Sequence, residues 1–234
     1  MAFYKIKPIT VLSQKGTGQL AQSVVDRAII TVLYAAGILE EYDRLFNSTV
    51  GNYVFQKTNF NPRPHISKAR RESIVAGHLN ASSLLYSIKD DASRSKEERY
   101  DVTLVTEPLH WHNDSSRSVG GVGLENYGAV VTYSEVKQLL RPVNGEDNRT
   151  AEENEDSISS LYLLMLTMHE LGHIFGLFPY SGPANASDED LKQAHCQNEC
   201  VMYWTFNEEM LKKIRGWPFC PSCLAKLKEF FLKP

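Results

Sequence analysis

The stretch His169-Glu170-Leu171-Gly172-His173-Ile174-Phe175-Gly176 decides how the rest of this 234-residue chain is to be read. His169 and His173 stand four apart, so on a helix both imidazoles leave the same face and can grip one ion. Glu170 lies one residue along and can reach a water on that ion from the side, as a general base must. The run before it, Ile158 to Met168, holds no charge, glycine or proline. It is apolar on nearly all sides, which predicts a helix buried in the middle of the fold. Glu152, Glu153, Glu155 and Asp156 suit the positive end of such a helix, with Asp156 or Ser157 as its cap. Gly176 is the expected stop. The plain alternative is a core helix with two ordinary histidines, but a buried His-Glu-His face would need satisfying without metal.

Working outward, two histidines leave a catalytic zinc one ligand short, since such sites generally take three from the protein. His195 is the best candidate, with Tyr180, Asp188, Glu189 and Asp190 as rivals. Pro179, Gly182 and Pro183 free the chain to leave the helix axis and turn back, so Pro179 to Gln193 is expected as a loop at a cleft rim. All four cysteines follow, as Cys196-x3-Cys200 and Cys220-x2-Cys223. Two close pairs around a helix-like stretch, Asn207 to Ile214, suit a four-thiolate structural zinc. Disulfides would be the alternative in an exported protein. His195 abuts Cys196 and could join that cluster. Four thiolates already complete it, however, so the demand for ligands sends His195 to the histidine site.

In order and identity these positions resemble the signature of the archaemetzincins, a branch of the metzincin clan of zinc peptidases. That signature runs H-E-x-x-H-x-x-G-x-x-H-C, then C-x-M, then a distal C-x-x-C. His169, Glu170, His173 and Gly176 match its first part, and His195-Cys196 the next. Cys200-Val201-Met202 and Cys220-Pro221-Ser222-Cys223 follow. The resemblance implies two zinc ions, one catalytic on His169, His173 and His195 and one structural on Cys196, Cys200, Cys220 and Cys223. It also implies Glu170 as general base and Met202 as an apolar floor beneath the metal. Two departures stand out: 18 residues separate Gly176 from His195 where the family has two, and the first cysteine pair is tighter by one. The detour is cheap, since each doubling of loop length costs about 0.6 kcal/mol.

The implied fold is α/β: a twisted mixed sheet packed on helices, with an active-site helix and a small zinc-clamped C-terminal lobe. One metallopeptidase domain is expected over 1–234, with an upper α/β subdomain at 1–176 and a lower, cysteine-clamped one at 177–234. The implied activity is hydrolysis of peptide bonds in a peptide or protein substrate, including removal of residues from the N-terminus of short peptides. A reading from another class is a non-catalytic, zinc-stabilised module binding protein or nucleic acid. It would account for the cysteines and for Lys212, Lys213, Arg215, Lys226 and Lys228, but not for a glutamate between two metal-facing histidines.

Whole-chain properties narrow the classes further. Apolar content of 42% and charge of 23% are those of a soluble globular protein. A formal charge of -3 argues against a dedicated nucleic-acid binder. No apolar run is long enough to span a bilayer, and the N-terminal segment is too quickly polar for a secretory signal. A cytoplasmic location follows, where thiols stay reduced and available to zinc.

Along the rest of the chain, Pro8 to Ser13 reads as a strand and Gln19 to Ala36 as a helix with Leu20, Val24, Ala28, Val32 and Ala35 inward, ended by Gly37. A second short helix over Ile38 to Phe46 and a strand over Asn52 to Gln56 come next. Asn59 to His65 should be irregular because of its prolines. One helix is expected from Ser67 to Ile88, with Ile74 and His78 among its inward residues. The alternating charges of Lys89 to Arg99 read as surface. Tyr100 to Thr106 reads as a central strand, and His110, Trp111 and His112 as a loop. Gly120 to Thr132 begins with flexible glycines and ends as a strand at Ala129. The resemblance to metzincins implies that Gly121 to Val130 is the edge strand at the rim of the cleft, to which an extended peptide pairs, and a glycine-rich strand can let another backbone come close. Ser134 to Leu140 reads as a brief helix, and Arg141 to Asp156 as a polar linker without structure of its own.

Overall fold

A computed structural model describes residues 7–39, 60–94, 98–111, 118–134, 148–178, 187–204, 210–211 and 218–232. The expected elements at Asn52 to Gln56, and most of those at Ile38 to Phe46, Ser134 to Leu140 and Asn207 to Ile214, lie outside those residues. Of the last of these, Met210 and Leu211 are helical and buried, facing inward as their spacing requires.

The frame is a four-stranded sheet in the order β1 (Ile9–Ser13), β3 (Tyr100–Val105), β7 (Gly128–Thr132), β6 (Gly121–Leu124). Strands β1, β3 and β7 are parallel, with Ile9 opposite Tyr100 and Asp101 opposite Gly128. Strand β6 returns antiparallel to β7, with Gly121 opposite Val131. All six residues of β3 are buried, as a central strand covered on both faces requires. Its alternation sorts two cores. Tyr100, Val102 and Leu104 join Ile9, Ala129 and Val131 in a cluster under the helices α1 (Gly18–Ala35) and α4 (Asn148–Ile174). Val105 joins Leu12, Val122 and Val130 in a second cluster against α2 (Arg63–Arg71) and α3 (Ala81–Lys89). A small second sheet is formed by β2 (Leu79–Asn80), β4 (Leu109–His110) and β5 (Ser118–Val119). Beyond α4 come α5 (Asp188–Gln193) and α6 (Pro221–Leu232). The first cluster continues into this last part of the chain through Cys196, Cys200, Val201, Met202, Cys223 and Leu227. Among the described residues, no helix is long and apolar enough to cross a membrane.

Several expectations need correcting. In helix α1, Ala28 and Val32 are buried as expected and Val24 and Ala35 pack half-buried against the core, but Leu20 is 59% exposed and Ala21, Val25, Ile29 and Leu33 complete the covered face. The helix expected from Ser67 to Ile88 is two helices broken at Gly77, which has φ +77°. The first begins inside the stretch expected to be irregular, because Pro62 takes the N-cap and Pro64 the first turn, where a missing N–H costs nothing. Ile74 is consequently exposed, and α3 starts afresh at Asn80, whose side chain accepts from the Ser83 amide at 2.9 Å. Gly120 to Thr132 is a hairpin of two strands turning at Asn126, which has φ +59°. Part of the expected linker is helix, since α4 begins at Asn148. The second half of the expected rim loop is α5, capped by Ser187 and Asp190 in a reciprocal capping box.

Lys89 to Arg99 is not all surface. Arg94 and Arg99 are buried, and their Nε atoms donate to the two carboxylate oxygens of Asp101 at 2.7 and 2.8 Å. The Arg94 guanidinium also lies 4.5 Å from the centre of the Tyr127 ring. The charges end inside because β3 carries their partner there, and a buried charge needs pairing.

Candidate metal centres

Helix α4 delivers the first two histidines. It ends at Ile174, and the chain then reverses: the Gly176 amide donates to the His173 carbonyl at 3.2 Å and the Leu177 amide to the Gly172 carbonyl at 2.8 Å. This pair of bonds, with Gly176 at φ +75°, is the Schellman arrangement, so the expected glycine stop is where the helix gives way. The reversal aims two carbonyls back at the helix. His173 Nδ1 donates to Leu177 O at 2.9 Å and to Phe178 O at 3.1 Å. His169 Nδ1 donates to Val201 O at 2.8 Å.

A carbonyl only accepts, so each of these Nδ1 atoms carries the proton and each Nε2 presents a lone pair. The two Nε2 atoms lie 3.1 Å apart. The His195 ring completes the group, with its centroid 5.2 Å from each of the other two. One nitrogen from each of the three histidines falls within 4.8 Å of the others. Lone pairs converging at this distance repel unless a cation sits among them. Zinc–nitrogen bonds of about 2.0–2.1 Å in a tetrahedral site would set nitrogens about 3.3 Å apart, so the donor set fits zinc. Burial and the neighbouring rings hold His169 well below the usual imidazole range, and burial then His195 bring His173 down to about 4. Both therefore stay neutral, the form that binds metal.

The 18-residue detour brings His195 to the site. Of its rivals, Glu189 is exposed and Asp190 is engaged with Ser187 in the cap of α5. Tyr180 and the side chain of Asp188 lie outside the described residues. His110 belongs to neither cluster: it is buried in β4 with Nε2 2.9 Å from Ser73 Oγ. His112 falls outside the description.

Glu170 is only 5% exposed, and burial pushes its carboxyl up to about 8, against the pull of a hydrogen bond from the Gly123 amide. Two glycines make this contact possible. A Cβ at Gly121 would sit 2.7 Å from Glu170 Cγ, and one at Gly123 would sit 2.6 Å from the Glu170 carbonyl and 2.8 Å from His173 Cβ. The glycine-rich strand was expected to admit another backbone; the one pressed against it is α4 itself. Gly172 does the same on another side of the helix, where a Cβ would collide with the Met202 sulfur. Met202 is fully buried there.

The cysteines form the second group. Sγ of Cys196 lies 3.7 Å from that of Cys220, and Sγ of Cys200 lies 3.8 Å from that of Cys223. A disulfide would need about 2.05 Å, whereas four thiolates on zinc at about 2.3 Å stand about 3.8 Å apart. All four are free and mutually within reach of one ion. Backbone donors prepare them: the Asn198 amide points at Cys196 Sγ at 3.4 Å, and the Met202 and Cys220 amides at Cys200. With its Cys223 partner as the main cause, Cys200 is drawn down to about 5.

The sequence reading missed the carbonyls of Val201, Leu177 and Phe178, which hold the ligands, because a carbonyl carries no residue signature. It also missed the packing roles of Gly121, Gly123 and Gly172. A signal existed for those: two glycines at strand period and one inside a helix each mark a close approach.

Fold and side chains together give a mixed α/β protein with two candidate metal sites, one of three histidines and one of four cysteines. No family model matches the chain. A stretch of 63 residues is 38% identical to archaemetzincins of Pyrococcus horikoshii and of Pyrococcus furiosus, covering 26% of this chain and 24% of each relative. The matched stretch thus spans about a quarter of those relatives. The crystal structure of an archaemetzincin from Methanopyrus kandleri has the same fold, with a TM-score of 0.56 and 21% identity over 97% of both chains. The chain is thus similar to archaemetzincins in sequence over that one stretch and in fold over nearly its whole length.

Proposed function

We propose that the chain is a zinc metallopeptidase that hydrolyses peptide bonds. The observation that carries this reading is the convergence of three imidazole nitrogens, two of them from the helical turn that also carries the buried carboxyl of Glu170. His169, His173 and His195 hold the catalytic zinc; Cys196, Cys200, Cys220 and Cys223 hold a structural one. Bound by the histidines, zinc supplies Lewis acidity to the scissile carbonyl and to the attacking water. Glu170 takes a proton from that water and returns it to the leaving amine. A nearby cation favours the ionised carboxylate, so the upward push of burial is opposed when metal is present. The Gly123 amide aims one carboxylate oxygen, and Met202 floors the site with apolar surface. The substrate is a peptide or protein segment, including the N-terminus of short peptides, lying in a cleft between residues 1–176 and 177–234 of a single domain. Strand β6 forms its rim, and the location is the cytoplasm.

The test is Glu170→Gln. Peptide hydrolysis should fall by at least about 100-fold, while zinc stays at two ions per chain by native mass spectrometry. Turnover equal to wild type would sink the mechanism. A single ion, held by the cysteines alone, would favour the non-catalytic module.

A further inference from the structure

We propose that the four-cysteine cluster is a positioning element for the three histidines, so that metal in one site strengthens metal binding in the other. This rests on the reading of the histidines as a metal site. Each histidine is tied to a different cysteine by a short physical link. His195 is the chain neighbour of Cys196, whose amide donates to Met202 O at 3.0 Å. His169 is held through the Val201 carbonyl, and Val201 lies between Cys200 and Met202. The Met202 amide itself donates to Cys200 Sγ, so the sulfur and the carbonyl that steers His169 share one turn of backbone. His173 is held in part through Phe178 O, and Phe178 sits in the left-handed region at φ +51°, unfavourable for a residue of its size. Its ring is covered by Lys226, with Nζ 4.7 Å from the ring centre. Lys226 rides on α6 three residues beyond Cys223, so the cysteines that anchor the start of α6 also place Lys226.

Three separate links from one cluster to three ligands leave little freedom for either site to relax alone. Losing the cysteine-bound ion frees the Val201 turn, the start of α6 and the approach of His195 together. Coupling of this kind is reciprocal: if the cysteine site sharpens the histidine site, the histidine site must retain the ion in the cysteine site by the same factor. Outer groups that orient metal ligands typically change affinity by about 10- to 100-fold.

The reciprocal direction can be measured on wild-type protein with zinc in the cysteines. The rate of zinc loss to a thiol-alkylating reagent is followed with the histidine site filled by cobalt and again with it empty. At least about tenfold faster loss from the empty form is expected, and equal rates overturn the coupling. The Phe178 link is read separately from cobalt affinity at the histidines. Lys226→Met should weaken it about two- to fivefold, the worth of an exposed cation–π contact, and Lys226→Arg should restore it. Affinity unchanged in Lys226→Met overturns that link. Failure of wild-type protein to bind cobalt at the histidines at all would overturn the metal-site reading as well, which neither other outcome does.

Discussion

The histidine and cysteine groups border the same core yet are assembled in opposite ways. Four sulfurs come from two short local pairs, two of them take hydrogen bonds from backbone amides, and their number equals the four ligands of a closed zinc site. Three imidazoles come from one helix and a residue beyond an 18-residue detour, at least two are steered by backbone carbonyls, and they supply one ligand fewer than a tetrahedral zinc takes. Closure suits a group whose task is to hold the fold. The open, externally braced group can instead exchange ligands and do chemistry. The difference lies less in the donor atoms than in how much of each sphere the protein fills.

The largest break in this contrast is Cys223→Ser. Structural zinc sites contribute on the order of 10 kcal/mol to folding, comparable to the whole stability of a domain, so this variant should lose cooperative thermal unfolding. His173→Ala should lose one ion, keep the other, and unfold within a few degrees of wild type.

Next in size is Gly123→Ala. Its Cβ would meet the backbone of Glu170 and Cβ of His173, and forcing β6 off α4 should cost about 1–3 kcal/mol by denaturant unfolding, with activity falling as the Gly123 amide leaves Glu170. The cysteine-bound ion should still be retained at one per chain.

A third measurement isolates Glu170 through pH. Its folded pKa of about 8 lies above the ordinary value of 4.5 because of burial. Protonation therefore favours the folded state, and the stability it contributes is complete below pH 4.5 and lost as pH rises through 8. With the histidines emptied and zinc kept in the cysteines, wild type should lose roughly 2 kcal/mol relative to Glu170→Gln between pH 6.5 and 8. Parallel curves for the two proteins would mean that the carboxyl is not buried as described.

The smallest effect belongs to Asp190→Ala. It removes half of the capping box on α5 and should cost about 1 kcal/mol or less. Zinc affinity at the histidines should not move, which separates the detour's acidic residues from the ligand set.

The two side-chain clusters were legible because the chemistry that would join them depends on identity and spacing. His169 with His173, and the two cysteine pairs, are each within one helical turn or one tight loop. Even His195 could be reached by counting ligands. Strands β1 and β3 were legible from β-branched runs. What could not be read was pairing at a distance. Nothing in the charges of Lys89 to Arg99 says that two arginines fold inward onto Asp101, and nothing in Val201 announces a carbonyl aimed at His169. Helix α1 was read too far at one end for another reason: two adjacent stripes of it are apolar, and only its packing decides that Ala21 rather than Leu20 is covered. Prolines at 62 and 64 misled because their effect reverses between a helix interior and its first turn.

The proton that the Val201 and Leu177 carbonyls hold on each Nδ1 also bears on selectivity among metals. It leaves His169 and His173 as uncharged nitrogen donors, and His195 adds a third imidazole. Imidazole sites rank divalent ions by the Irving–Williams order, in which copper stands above zinc and cobalt below it. The fold offers these histidines no carboxylate ligand among the described residues to alter that ranking. With zinc as the resident ion, selectivity against copper would rest on geometry and on the supply of free metal rather than on the donor atoms, and a copper-rich medium should load the wrong one.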